Sequence, residues 1–291
     1  MTVFGMGYRR LVYEPSSRFR RILCVALTDL RAPFRTRLST ILFLVCQAPT
    51  FSSFVLLFIW SGFWQIGGGR GMTSADRGFP GSAQFYLANL TAPEAFLSIT
   101  TLVAFTVSRA VARDRASNAL EILWTRGLSP AAWFAGKVLG ACFVLGIGTI
   151  AAPLLLWLLA VATAPDVEFL ANTARFMPLV VLAAGVQTFV IAFLATALSA
   201  AARTPNAASI LWVVAVFGGS AVARVVGRLS GWVELRALSP WDATTRVTQA
   251  IVDVPPRVEL PVTAALISLA VLGVFALAAV VRRVRLAETV G

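Results

Sequence analysis

Gly136-Lys137 is the pair in this sequence that comes nearest to a phosphate-binding loop, and its neighbours rule that chemistry out. A loop that cradles nucleotide phosphates needs a glycine five residues before its Gly-Lys and a Ser or Thr after it. Ala131 and Val138 occupy those places. Other routes to catalysis close in the same way. The chain has no histidine, and its three cysteines, Cys24, Cys46 and Cys142, lie far apart. That argues against Ser-His-Asp triads, histidine-held metal or haem, and clustered-thiolate zinc. The cysteines read as small apolar fillers. No Gly-x-Ser-x-Gly turn and no paired acids fall within the apolar runs, so an intramembrane enzyme is not expected.

What remains is suited to docking. Asn118-Ala119-Leu120-Glu121 has the cap and the returning glutamate of a helix start, and Gly127 supplies a stop. The helix between them has only about two turns. Ser129-Pro130 then begins another helix. Leu120, Ile122, Leu123 and Trp124 give the short helix more apolar surface than it can bury within itself. The cover is either the headgroup region with the chain's own helix ends, or a groove on a separate protein; the residues alone leave both open.

The elements that must position these residues are membrane spans. Of 291 residues, 58% are hydrophobic and only 13% charged, about half the charged share of an ordinary soluble domain. A span needs about 20 apolar residues to cross a hydrocarbon core roughly 30 Å thick. Six runs are read as spans, at about 39–61, 92–112, 138–163, 176–200, 207–223 and 262–281. The first carries Pro49 as a kink, the second a Thr91-Ala92-Pro93-Glu94 capping box, and the fifth is short. Residues 1–15 form a tail and 16–38 an amphipathic segment. No cleavage site follows the arginine-rich start, so the first apolar run is expected to stay as an anchor.

Charge orients the bundle. With six spans, 17 basic and five acidic residues fall on one side and eight of each on the other, which places the whole formal charge of +12 on the first side. Basic residues accumulate on cytoplasmic flanks, so both ends are expected in the cytoplasm, in a cell's inner (cytoplasmic) membrane. The basic residues are dispersed along helix flanks, which argues for anionic lipid headgroups as partners and against nucleic acid.

Two further segments are not simple spans. From Arg18 to Leu30, Phe19, Ile22, Leu23, Ala26, Leu27 and Leu30 recur at helical spacing, while Arg18, Arg20, Arg21, Asp29 and Arg31 take the other face. Such a helix lies in the headgroup plane with its charges toward water, and Pro33 ends it. Between the last two spans, Leu238-Ser239-Pro240-Trp241-Asp242 reads as the start of a short outer helix, with Trp232 and Trp241 suited to the interface.

In this order around six spans, these segments resemble a type-2 ABC export permease, the membrane subunit that works with a separate ATP-hydrolysing subunit. The resemblance covers almost the whole chain and is most specific from Arg113 to Lys137. Matches fall at Asp114, Arg115, Leu120, Glu121, Leu123, Leu128, Ser129, Gly136 and Lys137, and Asp29-Leu30-Arg31 resembles the acidic-Leu-Arg element of the family's elbow helix. Asn118-Ala119 replaces the family's usual Gly-Thr, Gly127 a common proline, and Pro130 a frequent basic residue.

The resemblance implies an all-α integral membrane fold of six transmembrane helices. It adds an N-terminal in-plane elbow helix, a short cytoplasmic coupling helix, and outer loop helices between spans five and six. The coupling segment, with Asp114, Arg115, Asn118, Leu120, Glu121, Ile122, Leu123 and Trp124, would enter a groove on the ATPase. Two permease chains, alike or similar, and two ATP-binding subunits would make one transporter. The chain would hold no cofactor, with ATP and Mg bound by the partner. Similar permeases line the pathway with their second and fifth spans, which nominates Thr100, Thr101, Thr106, Ser108, Trp212 and Phe217. Two other readings stand beside this one. An ion-coupled transporter would need an acid deep in a span, where none is found and Glu94 is nearest. A non-transporting scaffold could use the same docking helix.

Overall fold

The computed structural model describes residues 17–65, 80–117, 119, 128–164 and 167–288. Among them every regular element is helical. The first helix, α1 (Arg18–Leu30), starts where expected: the Ser17 hydroxyl accepts the Arg20 amide N–H at 3.3 Å, and a tight turn over Ala32–Phe34 follows it at Pro33. The chain then rises through α2 (Arg37–Val45) and α3 (Ala48–Gln65), which meet at a 47° bend. The bend falls just before Pro49, whose ring opposes the Val45 carbonyl and returns no hydrogen bond to it. Expected as a kink inside one span, it is a break between two helices.

The helices α4 (Ala83–Thr91) and α5 (Pro93–Ala116) follow. Thr91 does not cap α5. It ends α4, and its hydroxyl donates to the Leu87 carbonyl at 3.0 Å, so the residue before Pro93 is the last of a preceding helix rather than a free cap. The carbonyls left open at this break find partners elsewhere, as apolar surroundings demand. Gln187 Nε2 donates to Leu90 O at 2.9 Å and the Arg257 guanidinium to Thr91 O at 2.8 Å.

Next come α6 (Pro130–Thr163), α7 (Val167–Ala174), α8 (Met177–Ala201) and α9 (Pro205–Ser230). Helix α6 begins at Ser129, whose hydroxyl accepts the Ala132 amide N–H at 3.3 Å, eight residues before the expected span. It widens over Ile147–Ala151 just ahead of Pro153, which gives no N–H to the Thr149 carbonyl. Helix α9 is not short. It has 26 residues and runs through Arg224 and Arg228 to Gly231, where φ of 72° ends it in the left-handed conformation that glycine adopts without strain.

After a tight turn at Val233–Leu238 come α10 (Pro240–Val252) and α11 (Val262–Glu288). Ser239 caps α10 as expected, its hydroxyl accepting the Asp242 amide N–H at 3.2 Å. Of the two tryptophans expected at the interface, only Trp232 is exposed; Trp241 is buried, its ring 5.0 Å from that of Phe96. The α10 helix lies against α8 and α11 rather than in an open loop.

Five helices, α5, α6, α8, α9 and α11, are long and apolar enough to cross a membrane, and the bent pair α2–α3 makes a sixth if it is one span. Helix α8 is the centre, in contact with α6, α9, α10 and α11. Its Val180, Ala183, Ala184, Gln187, Ala192 and Ala195 are fully covered. Gln187→Leu should therefore strand the Leu90 carbonyl and lower stability by about 1–3 kcal/mol, read as a lower unfolding temperature in detergent micelles. An unchanged temperature would mean that the break between α4 and α5 does not need this bond.

Candidate functional site

Lys137 sits two turns into α6, 5% exposed, where an ammonium out of water must be paired. Its Nζ lies 2.9 Å from Asp29 Oδ1 on α1 and 2.7 Å from Asp114 Oδ2 near the end of α5. Asp114 also accepts the indole N–H of buried Trp133, in the first turn of α6, at 3.3 Å. One cation thus ties three helices separated by long stretches of chain.

Two glycines make the approach possible. Helix α1 has its most extensive contact with α6, over a seam at Gly136 and Gly140. A Cβ at Gly136 would stand 2.7 Å from Val25 Cβ and 3.0 Å from the Ile22 carbonyl; one at Gly140 would stand 2.9 Å from both the Ala26 carbonyl and Asp29 Cβ. Any side chain there pushes α1 away and draws Asp29 out of reach of Lys137. Small-residue contacts of this kind replace the missing hydrophobic drive between helices in lipid.

Asp29 is thus not on the water-facing side where its helical spacing puts it. It turns onto α6 with Ile22, Val25 and Ala26, while Phe19 and Leu27 are exposed, Leu23 and Leu30 half-buried, and Arg31 exposed at the end of the helix. Burial pushes the Asp29 carboxyl above its ordinary range; attraction to Lys137 and Arg113 opposes the rise, and Asp114 adds to it.

The clamp stands at the mouth of the connection expected to dock a partner. Its residues Asn118, Leu120, Glu121, Ile122, Leu123, Trp124 and Gly127 lie outside the described residues. Its two flanks are described. On one side, Arg115 donates to the Ala200 and Ala202 carbonyls at 2.9 and 3.3 Å, closing the end of α8, and the Ala112 amide donates to Ser199 Oγ at 3.1 Å. On the other, Leu128 is buried beside Val111 and Trp133.

Of the residues nominated for a pathway, Thr100, Ser108 and Trp212 are buried in packed helix contacts, while Thr106 and Phe217 are half-buried. Trp212 on α9 is buried and donates its indole N–H to the Thr100 carbonyl on α5 at 3.1 Å. Phe217 packs on Phe96, ring centroids 4.8 Å apart. The hydroxyls of Thr106 and Ser108 donate to their own helix, to the Leu102 and Ala104 carbonyls at 2.6 and 2.9 Å. Thr101 is half-buried and Glu94 exposed.

Sequence reasoning matched Lys137 and Asp114 to a family pattern but did not pair them with each other or with Asp29. A lysine in an apolar helix start was the available signal, since such a charge calls for a counter-ion.

Lys137→Met should leave two neighbouring carboxylates without their cation and cost about 3 kcal/mol, seen as a lower unfolding temperature and faster proteolysis in α1. Asp29→Asn should cost less than about 1 kcal/mol, because the amide still accepts from Lys137 and carries no charge to desolvate. The sign with pH follows from the raised Asp29 value. The folded chain holds this proton more tightly, so wild type loses stability relative to Asp29→Asn as pH rises from 3.8 through the raised value. A difference that grows toward acid pH in the opposite sense would contradict the assignment. Comparison of the chain with protein-family models, curated proteins and solved structures gives no match in any of the three.

Proposed function

We propose that this chain is the membrane subunit of an ATP-driven exporter of the type-2 ABC kind, acting with ATPase subunits that hydrolyse ATP with Mg. The observation that carries this reading is the Asp29–Lys137–Asp114 clamp beside the connection 118–127. A force on that connection reaches α5 and α6 at once, and Lys137 passes it to α1. A loop with no mechanical task needs no such bracing.

In this reading the bent pair α2–α3 counts as the first of six spans. The arginine-rich end faces the cytoplasm of a cell's inner membrane, following the charge asymmetry. The short apolar helix of the connection fits a groove on the ATPase, and α1 serves as the elbow beside it. Two chains and two ATPases make one transporter, with the substrate path between the chains. The tight α5–α9 contact at Trp212 and Thr100 belongs to one closed arrangement, and ATP-driven motion of the clamp shifts it toward another.

Reconstituted in vesicles with an ATP-binding subunit from the same source, the chain should form a complex whose hydrolysis depends on it. Leu123→Ala and Glu121→Arg should weaken that association about tenfold or more, as loss of a central docking residue does, with membrane insertion unchanged. Lys137→Met should keep the ATPase bound while transport falls. Association and transport unaltered in all three variants would contradict the reading.

A further inference from the structure

Where α2 begins, beside the basic end of α5, two adjoining hollows of about 300 and 460 Å³ share Pro33, Arg35, Thr106 and Arg113 in their walls. The inner hollow reaches the clamp. The outer one combines two kinds of wall. Leu38, Leu42 and Phe105 give it an apolar side, with Leu38 in the first turn of α2 and Phe105 midway along α5, both more than half exposed. Arg35, Arg109 and Arg113 give it a basic rim, and no carboxylate lines it among the described residues.

These arginines keep N–H donors without a partner among the described residues, although Arg113 also attracts Asp29 from the inner hollow. Arg109 gives one N–H to Asn206 Oδ1 at 2.9 Å, and its Nε is buried with no partner. The guanidiniums of Arg35 and Arg113 make no hydrogen bond or ion pair among the described residues. Three cations gathered over an apolar slot repel one another unless an anion lies between them. The occupant must therefore carry a negative head and an apolar body. A free phosphate would leave the slot unfilled, and a zwitterionic lipid would bring its own cation to a rim that already holds three.

We propose that this groove seats an anionic phospholipid, its phosphate among Arg35, Arg109 and Arg113 and one acyl chain along Leu38, Leu42 and Phe105. The lipid would bridge the turn after α1 to α5 across the gap that the clamp closes from within. The inference rests on the charge and shape of the groove and is independent of any ATPase.

The test uses the purified full chain in micelles, titrated with phosphatidylglycerol, phosphatidylcholine or inorganic phosphate, with bound lipid counted by native mass spectrometry and unfolding temperature recorded. Phosphatidylglycerol should bind and raise the unfolding temperature, phosphatidylcholine, whose choline cation is repelled by the arginines, should do both far more weakly, and inorganic phosphate should do neither. R35Q/R113Q should bind phosphatidylglycerol roughly thirtyfold more weakly, at about tenfold per 1.4 kcal/mol and one such contribution of about 1 kcal/mol per arginine. L38Q/F105Q, which keeps every arginine, should also weaken it. Arg282→Gln, a basic change outside the groove, should not. Equal binding by R35Q/R113Q, retention in L38Q/F105Q, or the same response to inorganic phosphate would overturn the proposal, since each would reduce it to surface charge. All the substituted side chains are at least partly exposed, so folding is expected to survive.

Discussion

An ammonium group withdrawn from water has to be held by opposite charge, and most of the arrangement at the basic end of this bundle follows from that requirement at Lys137. Asp29 and Asp114 supply the charge from helices that no local sequence relation connects to α6. For Asp29 to reach, α1 must lie almost backbone to backbone on α6, and Gly136 and Gly140 allow it. For Asp114 to reach, α5 must end where it does, with Arg115 fastened to the last carbonyls of α8. Coulombic attraction and small-residue packing thus depend on each other: a methyl group on either glycine weakens the ion pair, and loss of the lysine leaves the seam with two facing acids.

The opposite end is built differently. There the helix breaks are closed by long-range side-chain bonds to backbone carbonyls, Gln187 to Leu90 and Arg257 to Thr91, and by the aromatic contacts of Phe96 with Phe217 and Trp241. Asp242, buried in α10, accepts from the Arg224 guanidinium at 3.3 and 3.4 Å. Three helix interruptions, at Cys46–Gln47, Ile147–Ala151 and Val214–Gly218, fall within the long apolar runs, and a fourth, at Val107–Arg109, falls near the basic end of α5. In the proposed exporter, the braced basic end receives the push and the interrupted middle is where the helices can yield, since wide turns and breaks leave fewer regular backbone bonds to lose.

Local signals were legible in the sequence. Ser129 and Ser239 cap the helices they were expected to begin, Pro33 closes α1, and the long apolar runs became the long helices. The failures share a cause. Asp29 was placed toward water because periodicity describes a helix alone, whereas its partner is 108 residues away. Thr91 has a cap's spacing before Pro93, but a second helix was already using the residue. Span five was expected to end at 223, but α9 continues through Arg224, whose charge Asp242 receives. Trp241 was assigned to the interface by type, and its ring instead meets Phe96. Each error concerns a polar or aromatic group whose tertiary partner decides its direction.

The claim that α1, α5 and α6 are held as one unit through Lys137 is open to a direct distance measurement. Cys24 is exposed on α1 and Ser117 exposed just past α5. With Cys46 and Cys142 replaced by alanine, spin labels on Cys24 and on Ser117→Cys report the separation of these helices in lipid nanodiscs by pulsed electron resonance. The account predicts one narrow distance distribution that broadens markedly on Lys137→Met while the unmutated glycines stay in place. An equally narrow distribution in the Lys137→Met protein would contradict it, because the helices would then be held together without the ion clamp.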